Sequence, residues 1–508
     1  MNYQTITPNR QPLAAGRPVT DRPLLIGVDL GTTGCRAAVY TDDGTALGES
    51  YLEYGLITLS DVMVEQDPLA WWQLTKRAIG LALDAAAARR EMVRGIAVSS
   101  QGISFVLLDA QGRPLGNAIN WLDGRAVEEC REILNRFPAD DLFRAVGKRA
   151  APFYVLPKLL WLRRHQPEVW RQARMMLMGH DYLVYQLCGE SVTDHSMAGG
   201  TLLYDLQRLD WSQELLAAFA IPRSLLPTVH WSGAAVGALR RAVADELGLP
   251  ADVVVAVGGQ DQKCAALGAG LSDRTATVSL GTASAIVQVM DRPATDPAMR
   301  IPTFTFVRPA RWVLEGVVAT AAGSLRWYRD TLAAGVSYSA LDEEAAAIPP
   351  GSDGVLFCPH LAGAGSPHWL SSAHGAFRGL SLATTRGHLT RAILEGVAYQ
   401  IRENLEITEE IGGPVEQVIL FGGGAKSALW RQIIGDVLGR PVAWTATAET
   451  AALAAAMLAG VGSGVFASLD EACGRMRPAI HRQPPTIQAA AYAATFATYC
   501  QIESQMLS

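Results

Sequence analysis

The chain has 508 residues with a formal net charge of −6, and 49 % of them are apolar against 18 % charged. That length is more than one hydrophobic core serves, so two large domains are expected, and the balance excludes a disordered chain. Scattered Lys and Arg leave no nucleic-acid footprint, and seven widely spaced cysteines without a C-x-x-C pair argue against a disulfide framework or a zinc ribbon.

Residues 1–22 read as a polar tail without the apolar core of a secretory signal. Leu24–Asp29 reads as a strand ending in an acid. A Gly/Thr turn, Gly31–Gly34, leads into a second apolar run, Arg36–Tyr40, and then the polar turn Asp42-Asp43-Gly44. That is a β-hairpin with a Gly-rich tip. Asp67-Pro68 opens a long amphipathic helix. The segment VRGIAVSSQG is a buried strand running into a loop. Ala451–Val461 is the most apolar helical run, too short for a bilayer, which takes about 20 residues, and so reads as a buried helix. Alternation of this kind predicts an α/β architecture with layered sheets.

One echo stands out. LGTTGCRAAV begins at Leu30 and LGTASAIVQV at Leu280, which suggests one supersecondary unit used twice. Asp29 precedes the first turn and Ser279 the second, so only the first carries an acid. Such turns hold phosphate oxygens on backbone N–H groups and Thr hydroxyls, with Arg36 close by to add charge. An ordinary hairpin tip is the other reading. Asp29 is the natural Mg²⁺ anchor, since Mg²⁺ takes oxygen ligands and keeps several waters.

In VVVAVGGQDQKCAALGAG a strand, Val253–Val257, runs through Gly258-Gly259 to Asp261 and a small-residue helix. Asp261 at a helix start can accept the proton of an attacking hydroxyl, or it can simply cap the helix. In VILFGGGAKSALW a strand, Val418–Phe421, passes through Gly422-Gly423-Gly424 to a helix, the general form of a nucleotide-contacting turn. It is neither G-x-G-x-x-G nor a P-loop. Asp123 and Arg125 suit either a polar ligand site or a surface ion pair, and Gln101 and Asp181 suit either a ligand or a cap.

Together these clusters resemble the FGGY carbohydrate kinases from about Leu24 to about Phe466. The most specific part is GAFRGLSLATTRGHLTRAILEGVAYQ, with Gly375, Phe377, Gly379-Leu380, His388-Leu389 and Ala392–Glu395 in the family's spacing. FYVLPKLLWLRRH matches the N-terminal pattern with Lys158 and Trp161 in place, departing at Val155. The resemblance implies a two-lobed actin-like ATPase fold, made of duplicated ribonuclease-H-like domains with an interdomain cleft that closes on substrate. It implies a first domain over 23–270 for sugar and catalytic base and a second over 271–508 for nucleotide.

It further implies ATP and Mg²⁺, with Asp29 toward the metal. Gly31, Thr32, Thr33, Arg36, Gly281 and Thr282 would face phosphate. Gly422, Gly423, Gly424 and Lys426 would contact the adenosine end, and Gln101, Gly102, Asp123 and Asp181 would lie on the sugar side with Asp261 as base. A cytoplasmic enzyme, a possible homodimer, free of nucleic acid and membrane, is the expected setting. The pattern sits closest to members that act on D-xylulose, but those carry Met-His where this chain has Ile103-Ser104. An imidazole's hydrogen bonds are not reproduced by a short hydroxyl. Another ketose, a deoxy-ketose or a polyol, or an acceptor-free actin-like ATPase, are the alternatives.

Overall fold

The structure is a computed structural model that describes residues 21–445, 447 and 449–507. The expected polar tail, 1–22, thus lies outside the described residues except for its last two. Two compact units are formed. Unit 1 is Met1–Gly270, Phe304–Arg311 and Glu449–Arg477; unit 2 is Leu271–Thr303, Trp312–Ala448 and Pro478–Ser508.

Unit 1 is built on strands β1 (Leu24–Leu30), β2 (Gly34–Thr41), β3 (Ala46–Glu53), β4 (Val93–Ser100), β5 (Ala235–Ala238) and β6 (Val254–Gln260). Their order is β5-β6-β4-β1-β2-β3. β1, β2 and β3 form an antiparallel meander, β4 and β6 continue the sheet in parallel, and β5 closes the edge antiparallel. β1, β2 and β4 are near-continuous apolar runs, as strands covered on both faces must be.

Unit 2 repeats this plan with β7 (Thr275–Ser279), β8 (Ser284–Met290), β9 (Trp312–Val318), β10 (Gln417–Phe421), β11 (Val442–Thr445) and β12 (Ile480–Gln483). They run β9-β8-β7-β10-β11-β12, a meander followed by two parallel strands and an antiparallel edge. The expected duplicated ribonuclease-H-like arrangement is present, and the two Leu-Gly-Thr turns occupy the same corner of it, between the first and second strands.

Six helices matter below: α1 (Pro68–Ala85), α2 (Asp261–Gly268), α3 (Arg386–Gly412), α4 (Ala428–Leu438), α5 (Thr450–Gly462) and α6 (Ala489–Leu507). α1 starts as its sequence requires: Pro68 takes the first position and the Asp67 side chain accepts from Leu69 N. It buries Trp71, Leu74, Ala78, Ile79 and Ala82 at helical spacing.

α5 lies on β1 so closely that a Cβ at Gly27 would sit 1.9 Å from the Ala452 carbonyl oxygen. The Ala-rich composition of α5 follows, because bulkier side chains would hold helix and strand apart.

The C-terminal family pattern proves to be scaffold. Glu395 is 1 % exposed and accepts from Arg391 Nε at 2.7 Å, Tyr492 OH at 2.8 Å and Gly351 N at 3.1 Å. Gly396 lets the Phe357 carbonyl approach, and the Phe357 and Phe377 rings pack tilted at 42° with centroids 4.7 Å apart. His388 accepts from Thr385 N at the start of α3. No helix among the described residues is long and apolar enough to cross a membrane, and the seven cysteines are unpaired.

Candidate active site

In unit 1 the parallel strands β1, β4 and β6 end together, with Leu30, Ser100 and Gln260 in register. Ligands of open α/β sheets bind beyond such carboxyl ends. Asp29 pairs across to Ser99, which pairs to Gly259. β1 and β6 are second neighbours, so Asp29 and the end of β6 lie about 10 Å apart.

Asp29 is half-buried and accepts from Ser99 Oγ at 2.8 Å. Burial pushes its carboxyl above the ordinary value, opposed by the Ser99 bond and by the charge of Arg36. No ion pair reaches Asp29 among the described residues. Arg36 instead pairs with Glu449 at 2.7 Å. A desolvated carboxylate lacking a contacting cation, with one oxygen held by a hydroxyl, suits a hard dication such as Mg²⁺.

The first Gly/Thr turn is closed by Gly31 N donating to Gly34 O at 2.9 Å and by Tyr54 OH donating to the Gly31 carbonyl. Thr32 is held from two sides. Gln66 Nε2 donates to its carbonyl at 2.7 Å and Trp121 Nε1 to its hydroxyl at 2.8 Å. Thr33 is exposed.

The loop after β4 joins this turn through Gln101 N donating to Leu30 O at 2.8 Å. Gln101 is buried; it donates to Gln66 Oε1 at 2.7 Å and accepts from Asn120 Nδ2 at 3.2 Å. Gly102 packs against the Gln260 side chain. Ile103 has φ +52, where a β-branched residue is strained. Ser104 is fully buried and accepts from Trp121 N at 2.9 Å. Ser104, where the resembled members carry an imidazole, is therefore an internal prop for the Asn120–Trp121 loop, and the group left exposed there is the Trp121 indole.

Asp123 and Asp181 are fully buried with both carboxylate oxygens engaged. Asp123 accepts from Val64 N at 2.7 Å and from the Arg125 guanidinium. Arg125 also pairs with Glu65 and lies over the Trp161 ring. Asp181 accepts from Met178 N at 3.0 Å and fixes His180, whose Nε2 takes the Gly258 N–H. Lys158 donates to Asn120 O at 2.7 Å, and burial lowers its ammonium to about 7. The N-terminal family pattern thus braces the loop that carries Asn120, Trp121 and Asp123.

Gly258 and Gly259 lie within β6, which continues to Gln260, past the strand end expected at Val257. A Cβ at Gly258 would sit 1.8 Å from Val98 O. Asp261 is the first residue of α2, half-buried. It is not the cap: the Gln260 side chain accepts from Lys263 N at 3.3 Å. Gln260 Nε2 and Gln262 N both donate to Asp261 Oδ1. Beneath it, Gln260 N donates to Ser196 Oγ at 2.9 Å, on a turn capped by buried Asp194.

Sequence reasoning missed Gln260, Trp121, Asn120, Ser99 and Ser196. Trp121 and Asn120 adjoin the flagged Asp123 and Gln260 adjoins the flagged Asp261; Ser99 and Ser196 carry no local signal.

In unit 2 the second turn and the triple glycine meet. Leu280 N donates to Phe421 O at 2.8 Å and Gly424 N to Leu280 O at 2.9 Å. Gly422 has φ +91, and a Cβ at Gly424 would crowd Leu280 and Trp430. Gly281 and Thr282 carbonyls receive the N–H groups of Ala322 and Ala321 at the start of the following helix. Thr282, Gly423 and Lys426 are exposed.

Two family models match the chain: the N-terminal domain of the FGGY family of carbohydrate kinases over residues 24–268 and its C-terminal domain over 276–463. A xylulose kinase of Bacillus subtilis is 33 % identical over 448 residues, 88 % of this chain and 90 % of that one. A xylulose kinase of Escherichia coli K12 is 32 % identical over 486 residues, 95 % of this chain and 99 % of that one. The structure of a ligand-bound xylulose kinase from Lactobacillus acidophilus superposes with a TM-score of 0.90 at 26 % identity, over 96 % of this chain and 99 % of the other.

Proposed function

The chain belongs to the FGGY family of carbohydrate kinases, and from that premise we propose that it transfers the ATP γ-phosphate to a terminal hydroxyl of D-xylulose. Asp261 is the base. The observation that carries this role is the division of labour at the start of α2: Gln260 caps the helix and holds Asp261, so the carboxylate is fixed at the strand end without being used up as a cap. A positioned carboxylate there orients and deprotonates the attacking hydroxyl. Gln101, Gly102 and Trp121 take the sugar, with Asp123 holding their loop through Val64 N and Asp181 holding His180 against the Gly258 N–H within β6. Gly31–Thr33 in unit 1, and Gly281 and Thr282 in unit 2, take phosphate; Gly422–Gly424 and Lys426 take the adenosine end. Mg²⁺ arriving with the nucleotide would be held through Asp29 and would offset phosphate charge. The setting proposed is the cytoplasm, where ATP is supplied.

The test is ADP release with Mg·ATP against D-xylulose, L-xylulose, D- and L-ribulose, 1-deoxy-D-xylulose, glycerol, erythritol, xylitol and gluconate. The expected result is a kcat/KM for D-xylulose at least about tenfold above every other acceptor. Equal or greater turnover with another member would reassign the acceptor, and the strained Ile103 with its neighbour Ser104 is where the difference would be sought.

A further inference from the structure

A second cluster lies in unit 2, apart from every residue assigned above. His368 stands on the loop between the paired strands Leu356–Cys358 and Ala376–Arg378, Glu403 on α3 and Glu503 on α6. One atom from each lies within 4.8 Å of the other two. His368 Nε2 is 3.3 Å from Glu403 Oε1 and 3.5 Å from Glu503 Oε2. Neither contact is an aligned hydrogen bond, and Nε2 is buried without such a partner.

The remaining carboxylate oxygens are occupied. Glu503 Oε1 accepts from His360 Nε2 at 2.7 Å, Gln400 Nε2 at 2.8 Å and Tyr499 OH at 3.1 Å. Glu403 Oε2 accepts from Gln400 Nε2 at 2.9 Å. Each carboxylate is thus held by one oxygen and presents the other to the His368 nitrogen. The loop is fixed too: Asn404 Nδ2 donates to Ser366 O at 3.0 Å, and His368 N to Gly365 O at 3.0 Å.

We propose that His368 Nε2, Glu403 Oε1 and Glu503 Oε2 form a three-ligand site for a divalent transition-metal ion of the zinc class. A tetrahedron with bonds of about 2.0–2.2 Å has edges of about 3.3–3.6 Å, and the two distances from His368 Nε2, 3.3 and 3.5 Å, fall within that range. The imidazole ligand favours Zn²⁺ over Mg²⁺ or Ca²⁺. Two carboxylates and a neutral imidazole balance a dication. Gln400, His360 and Tyr499 are the outer donors that such sites use to aim their ligands. The bound ion ties α6 and the His368 loop to α3. Glu503 is 1 % exposed, while His368 and Glu403 side chains are 27 % and 19 % exposed, which gives the ion an entry.

Without metal the same groups form an ion pair. Burial lowers the His368 imidazolium, but pairing with Glu403 and Glu503 overrides this and raises it to about 10.

The test uses the chelator-treated full chain in excess Mg²⁺, titrated calorimetrically with Zn²⁺ and followed by Co²⁺ absorption spectra. The expected result is one Zn²⁺ per chain, a raised melting temperature and a visible Co²⁺ band. Glu403→Gln, near-isosteric and folded by circular dichroism, should bind at least about a hundredfold more weakly, His368→Ala likewise, and Gln400→Ala about 10–100-fold more weakly with all ligands intact. Absence of saturable Zn²⁺ binding, or binding that Glu403→Gln and His368→Ala retain undiminished, overturns the proposal.

Discussion

Asp261→Asn is expected to lower kcat for sugar phosphorylation by about 10²–10⁴-fold, with the sugar KM nearly unchanged. An amide keeps the shape of the carboxylate and still accepts the Gln262 N–H, but it takes no proton from the attacking hydroxyl. The helix start survives the change because its cap is Gln260. The melting temperature is therefore expected to stay within about 2 °C of the parent. Steady-state kinetics and a thermal scan on one preparation separate the two effects. A variant that folds normally and retains near-parental kcat removes Asp261 from the base role.

Gly27→Ala is expected to destabilise unit 1 by at least about 3 kcal/mol, a melting temperature roughly 6–12 °C lower. The added methyl would meet the Ala452 carbonyl oxygen at 1.9 Å, its carbon at 2.8 Å and Ala456 N at 3.0 Å. All three belong to the α5 backbone, so no rotamer change relieves the clash and the helix must lift from β1. Asp29 follows two residues later on the same strand, and Glu449, immediately before α5, anchors Arg36. Activity should fall with stability. Gly80→Ala in α1 is the control: nothing lies within 4 Å of its added Cβ, and removing a mid-helix glycine should stabilise by about 0.5–1 kcal/mol. Equal melting temperatures for the two variants would mean that α5 does not lie against β1 as described.

Much of this was readable in the chain because it is local. Leu24–Asp29, the Gly31–Gly34 turn, the helix after Asp67 and the strand before Gly422 announce themselves through period and punctuation; the strand bounds differ by only one or two residues, and the helix starts at Pro68 as expected but ends at Ala85. The Leu30 and Leu280 echo reported a real duplication of strand order. What stayed hidden depends on partners distant in sequence. Nothing local says that α5, about 420 residues after β1, joins the sheet of unit 1. The choice of Gln260 over Asp261 as cap is set by Ser196 beneath it. β6 reads as stopping at Val257 because glycine usually ends a strand, yet a strand that presses on its neighbour needs the same residue. The C-terminal family pattern identified the family without marking the chemistry: Glu395 and Gly396 hold α3 against Phe357 and Tyr492, and neither reaches a proposed ligand.

The central claim is that phosphate moves from ATP to the terminal hydroxyl of a ketose. The most direct measurement is a proton-coupled ³¹P spectrum of the product formed from Mg·ATP and D-xylulose. The account predicts ADP and, in equal amount, a phosphomonoester signal split into a triplet by the two protons of a terminal CH₂. Inorganic phosphate formed at the same rate with and without the sugar, and no ester signal, would contradict it and point to an ATPase without an acceptor.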